Sequence, residues 1–173
     1  MDIRKVISLV LSAVVLFACI NDGPETGADL KVGDRIPDFS STMNDGSIVT
    51  GDDLSQSVSV IVFFHTSCPD CRKTLPVLQK IYDEYASRGV RFALISRAEA
   101  KDSVSSFWQE QGLTMPFSAQ NDRKIYEMFA ASLVPRVYIC RNGIIEYIFT
   151  DDPVPSYDDL NIALVKSEKK QYI

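Results

Sequence analysis

Residues 58–64, Val-Ser-Val-Ile-Val-Phe-Phe, form a nearly unbroken run of β-branched and aromatic side chains. Only His65-Thr66-Ser67 separates this run from Cys68-Pro69-Asp70-Cys71, where an amphipathic pattern begins. A run of this kind suits a central strand covered on both faces. The pattern after it predicts a helix over 69–87, with Leu75, Leu78, Ile81, Tyr82 and Tyr85 on one apolar face and Gly89 as its stop. The paired cysteines therefore sit where a buried strand turns into a helix, and a CxxC in that setting reads as a redox motif. Two intervening residues at a helix start let the sulfurs approach bonding distance with little strain. Cys68 lies near the unpaired N–H groups at the positive end of the helix dipole, which stabilises a thiolate, the attacking species. Pro69 is the residue type favoured at the first helical position. Cys71 lies one turn further in, where it can resolve a mixed disulfide.

The remaining elements alternate around this junction. A hairpin is expected over 37–50, turning at Asn44-Asp45-Gly46, and a second strand over 90–96. Helices are expected over 101–111, with Val104, Phe107 and Trp108 inward, and over 121–131, with Ile125, Met128 and Phe129 inward. Strands over 136–140 and 144–149 flank Asn142-Gly143, a strong hairpin turn. Ser156 can cap a last helix carrying Leu160, Ala163 and Leu164. This order predicts an α/β domain with a mixed central sheet, helices on both faces and an N-terminal β-hairpin. With 46% hydrophobic residues a real core is available, and a net charge of -5 argues against nucleic acid as a partner.

The chain opens differently. Arg4 and Lys5 precede an apolar stretch over residues 6–18. That is shorter than the roughly 20 residues of a comfortable membrane span, and it reads as a secretory leader. It ends in Leu16-Phe17-Ala18-Cys19, which resembles a bacterial lipobox and implies that Cys19 is lipidated. The expected organisation is a lipoprotein-type signal peptide over 1–18, a flexible polar tether over 19–31 and a folded domain over 32–173.

Across residues 31–166 the sequence resembles the TlpA/ResA-like family of membrane-anchored thioredoxin-fold thiol–disulfide oxidoreductases. The resemblance rests on Phe63-Phe64, Cys68-x-x-Cys71, Pro76, Val134-Pro135 and an extra stretch between Gly112 and Asn121. It implies a thioredoxin-like fold and catalytic Cys68 and Cys71. It also implies a cis bond at Pro135 facing the sulfurs, and pairing of the Val134 backbone with an extended substrate. Disulfide-containing protein substrates, a membrane thiol-transfer protein as electron donor and a bacterial membrane facing the periplasm follow as expectations, with no cofactor and no metal. Three positions depart from the pattern. Ser67 stands where the family usually has Trp, Thr74 where it often has an acid, and Val62 where plain thioredoxin has a buried Asp. Water, Asp70 or His65 remain as acceptors for the Cys71 proton.

Other readings meet specific obstacles. A structural zinc site needs four ligands, and Cys140 lies five strand residues from Pro135, roughly 16 Å at about 3.3 Å per residue. Cys140 reads as a small core hydrophobe. A peroxiredoxin needs Pro and Thr where Ile61 and His65 stand. His65 is either a packed strand-end residue or a tuner of Cys68, and Asp70 either a favourable first-turn acid or a charge that opposes the thiolate. A lipid-anchored binding protein using the fold as a scaffold, or a disulfide oxidase or isomerase, are the alternatives to a reductase.

Overall fold

The apolar run becomes the central strand β3, Val58–Phe64, with every residue buried. It lies between β4 (Arg91–Ser96), parallel to it, and β6 (Arg136–Arg141), antiparallel to it. The short β5 (Phe117–Ser118) extends the sheet beyond β4 and β7 (Ile144–Phe149) beyond β6, giving the order β5-β4-β3-β6-β7. This computed structural model describes residues 29–171. The expected leader, the expected lipidation site Cys19 and the expected tether through residue 28 lie outside the described residues. Among those described, no helix is long and apolar enough to cross a membrane.

Successive strand residues point to opposite faces, and the end of β3 shows what covers each. Phe64 stacks on Trp108 of α3 (Lys101–Gln111), with ring centroids 5.0 Å apart. Phe63 points the other way, into Tyr126, Phe129 and Tyr138 at 4.9–6.3 Å. Helix α2 (Pro69–Tyr85) joins β3 to β4, and α3 leads from β4 toward β5. Right-handed crossovers of this kind put both helices on one face, and the Arg72 guanidinium of α2 lies 4.9 Å over the Phe107 ring of α3. The C-terminal helix α5 (Tyr157–Gln171) packs beside α2 through Tyr85–Asn161, and beside the 3-10 turn that follows α2 through Arg88–Glu168. Ser156 and Asp159 exchange hydrogen bonds at its start, a capping box that satisfies the first-turn donors.

The hairpin of β1 (Ser40–Thr42) and β2 (Ile48–Thr50) turns through Asp45-Gly46, as its turn residues require, and leads into a one-turn α1 (Gly51–Leu54). It shields the sheet edge. Asn44 N–H donates to the Phe117 carbonyl at 2.7 Å and the Asn44 side chain accepts from Phe117 N–H at 2.8 Å, so β5 is not left as an open edge. At the other edge Asn142 and Gly143 both have positive φ, 50° and 76°, which a two-residue turn between twisted strands demands.

Two expectations need correction. The helix expected over 121–131 is a single turn, α4 (Lys124–Glu127). Over the expected span the buried aromatics are Tyr126 in this turn and Phe129 just after it, while Ile125 and Met128 are only partly covered. The chain past Glu127 cannot stay helical because Ala131 N–H is taken by Asp29 and the Phe129 carbonyl by Leu30 N–H. The same contacts move the start of the folded domain: Asp29 and Leu30, expected in a tether, are held by the domain, and Leu30 is buried.

Candidate active site

The site forms where β3 ends. Cys68 N–H donates to the His65 carbonyl at 3.0 Å, closing the turn from strand to helix. Cys68 is the N-cap of α2, with extended backbone (φ −78°, ψ 121°), and its Sγ accepts Cys71 N–H at 3.5 Å. A sulfur in the N-cap place takes the role an oxygen usually plays there, facing donors that the helix leaves free. Pro69 follows at the helix start, where its missing N–H costs nothing. Cys68 is partly exposed, whereas Cys71 is fully buried, and both carry free thiols. Burial pushes the Cys71 thiol well above the ordinary range; a hydrogen bond from the His65 backbone works the other way and is outweighed.

The loop before β6 closes over the exposed sulfur. The Val134–Pro135 peptide bond is cis, and the Val134 carbonyl lies 3.3 Å from Cys68 Sγ, placed to accept its S–H. The preceding Leu133 carbonyl accepts the Tyr126 hydroxyl at 2.8 Å. Arg136, just past the cis bond, is buried. It donates through Nε to the Ser132 carbonyl at 3.1 Å and pairs with Asp29, whose other oxygen accepts Ala131 N–H at 2.8 Å. Asp29, ahead of the first strand, thus braces the loop that faces Cys68.

The charged residues sort differently from their sequence readings. Asp70 stands in the first turn of α2 but is paired with Lys73 at 2.8 Å on the surface. His65 stacks back on its own loop: Nδ1 is 3.2 Å from Ser67 N–H, which it accepts, and 2.9 Å from the Ser67 hydroxyl. Thr74, in the place of the family's acid, turns its hydroxyl onto the Asp70 carbonyl at 2.8 Å. Cys140 lies opposite Ser59, at the far end of the β3–β6 pair from the motif, and burial pushes its thiol up to about 12. It is remote from the sulfurs of the CxxC.

Sequence reasoning missed Glu99. Its carboxylate is buried beneath the motif and accepts Thr66 N–H at 2.9 Å and the Thr66 hydroxyl, with His65 Nδ1 at 3.9 Å. The signal was its position. Glu99 follows the end of β4, next to and parallel with the strand that ends at the motif, and open α/β sheets gather their sites beyond such strand ends.

A partly exposed sulfur at a helix start, a buried sulfur one turn behind it and a carbonyl-lined loop across from them can exchange a disulfide with an extended peptide. Comparison with known proteins agrees. The Redoxin family model matches residues 31–163. The thiol-disulfide oxidoreductase ResA of Oceanobacillus iheyensis is 30% identical over 150 residues, covering 84% of this chain and 78% of that protein. Among solved structures, a candidate protein disulfide isomerase from Bacteroides thetaiotaomicron superposes with a TM-score of 0.75 at 23% identity, over 84% of this chain and 94% of the other. A thiol:disulfide interchange protein of the thioredoxin family from Chlorobium tepidum TLS gives 0.68 at 22% identity, over 81% and 99%. At these identities the two structures speak for the thioredoxin-like fold.

Proposed function

The chain belongs to the redoxin family and, within it, to the TlpA/ResA-like thiol–disulfide oxidoreductases, and from that premise we propose that Cys68 and Cys71 form its redox pair and reduce disulfides of exported proteins. The observation that carries the residue assignment is the contrast between the two sulfurs. Cys68 is reachable, caps α2 and faces the Val134 carbonyl, whereas Cys71 is enclosed behind it.

The cycle follows from that contrast. The Cys68 thiolate attacks one sulfur of the substrate disulfide, forming a mixed disulfide and releasing the other substrate sulfur as a thiolate that takes up a proton. Cys71, deprotonated in its turn, attacks Cys68 Sγ. The second substrate thiol leaves, and a Cys68–Cys71 disulfide remains after transfer of two electrons. Burial keeps Cys71 protonated until the mixed disulfide has formed, which favours attack by Cys68 first. The Val134 backbone offers the extended substrate a pairing edge, and Pro135 closes the site above the sulfurs. A membrane thiol-transfer protein returns the pair to the dithiol. Asp70 adds a negative charge two residues from Cys68, which disfavours the dithiol form and supports reduction over oxidation.

Cys19 would carry the lipid that holds the domain at a bacterial membrane facing the periplasm. Cys19→Ser should release the protein from the membrane fraction, and retention after a carbonate wash would mean an uncleaved anchor instead. For the redox pair, a limiting dose of iodoacetamide at neutral pH should label Cys68 before Cys71 and Cys140, and Cys71→Ser should accumulate a mixed disulfide through Cys68. Labelling that favours Cys71, or trapping through Cys140, would sink the assignment.

A further inference from the structure

We propose that Glu99 is a positioning residue of the redox site, whose buried negative charge, held by Thr66, makes the Cys68–Cys71 pair more reducing. The inference rests on the reading of Cys68 and Cys71 as the redox pair.

Several independent contacts fix the carboxylate. One oxygen accepts Thr66 N–H and the other bonds the Thr66 hydroxyl, so both oxygens are held in place. Glu99 is only 7% exposed, so its charge is poorly screened by water. Its backbone is fixed as well: Glu99 N–H donates to the Gln120 carbonyl at 2.7 Å and Ala98 N–H to the Asp122 carbonyl at 3.0 Å. To turn the acid inward the chain holds Ala98 at φ 54°, a left-handed conformation that an alanine adopts at a cost. Strain of this kind persists where the surrounding structure over-determines it, and it gathers at functional sites.

The residue that Glu99 grips is the hinge of the site. Thr66 lies between the end of β3 and Cys68, and its carbonyl accepts Arg72 Nη1 at 3.2 Å, so the turn is clamped by an anion on its donor side and a cation on its acceptor side. The turn in turn sets Cys68, whose N–H is bonded to the His65 carbonyl. Only Ser67 lies between the gripped Thr66 and Cys68, so the carboxylate and the sulfur are close on the scale over which buried charges interact. A fixed anion there raises the energy of the Cys68 thiolate. It destabilises the dithiol form relative to the disulfide and makes the pair a stronger reductant. Positions 62 and 74 carry Val and Thr, so a buried acid reaches this site from the loop after β4.

Glu99→Gln isolates the charge. The amide oxygen can still accept Thr66 N–H and the amide nitrogen can donate to the Thr66 hydroxyl, so the clamp and the fold are kept. The experiment measures two quantities in wild type, Glu99→Gln and Glu99→Asp: the glutathione redox equilibrium and the Cys68 alkylation rate at pH 7. Glu99→Gln should shift the equilibrium toward the dithiol by about fivefold to tenfold, the upper figure being about 30 mV, and should speed alkylation. Glu99→Asp, which keeps the charge, should stay near wild type in both. An unchanged or more reducing Gln variant, or an Asp variant shifted as far as Gln, would overturn the proposal. Failure of wild type itself to form a Cys68–Cys71 disulfide would instead remove the reading on which it stands.

Discussion

Asp70 shows how far one residue's role depends on its neighbours. From the sequence alone its carboxylate opposes the Cys68 thiolate and offsets the helix dipole. In the structure Lys73 holds that carboxylate at 2.8 Å, so part of its charge is already neutralised. Asp70→His removes the anion and frees Lys73 beside the site, and both changes favour the thiolate. The potential should move in the oxidising direction, by less than the roughly 30 mV that one pKa unit is worth in a two-electron couple, because the pair is exposed to solvent and salt. A glutathione titration of the variant checks it, and a shift toward a more reducing potential would show that Asp70 does not act through its charge. Cys68, Pro69 and Cys71 were legible as a unit because spacing alone puts them at a helix start. Glu99 was not, since its partner Thr66 is 33 residues away and only the parallel pairing of β3 with β4 brings them together.

At the scale of elements, the long pieces announced themselves and the short ones did not. Val58–Phe64, Lys101–Gln111 and the turns at Asp45-Gly46 and Asn142-Gly143 fall where periodicity and turn chemistry put them. The two-residue β5 and one-turn α1 are too short to carry a period. The segment after Lys124 has a helical pattern that tertiary contacts override. There Asp29 takes Ala131 N–H and Arg136, and the loop facing Cys68 is held open as a loop. That brace is testable. Asp29→Asn leaves the buried Arg136 without its counter-charge, although it can keep the bond to Ala131. Asp29 itself is 44% exposed, so water softens the loss. The expected cost is about 1–2 kcal/mol, read as a lower denaturant midpoint with an unchanged slope. An unaltered midpoint would mean that Arg136 finds full compensation at the Ser132 carbonyl.

For the whole molecule, buried groups that titrate set the response to pH. Burial raises the thiols of Cys71 and Cys140, the latter to about 12, and raises Tyr138, also to about 12, against the opposing pull of Arg136. A group whose proton is held more tightly in the folded state contributes its full stability below its unfolded pKa and loses it as pH rises toward the folded value. The reduced domain should therefore lose stability from about pH 8.5 upward, by on the order of 1–2 kcal/mol per buried thiol by pH 10. Oxidation removes the Cys71 contribution, so the disulfide form should lose less, and paired denaturation curves at pH 7 and pH 10 would show it. Equal losses in the two forms would contradict the buried, protonated state of Cys71.

The central claim is that Cys68 and Cys71 cycle as one two-electron pair. Equilibration of the protein over a range of glutathione ratios, followed by acid quench, alkylation under denaturing conditions and peptide mass spectrometry, tests it directly. A single redox pair gives one transition in which the labels on Cys68 and Cys71 disappear together, with a two-electron slope and a reducing midpoint, while Cys140 stays labelled throughout. Separate transitions for the two residues, persistent glutathione adducts in place of a bridge, or a bridge that includes Cys140 would contradict it.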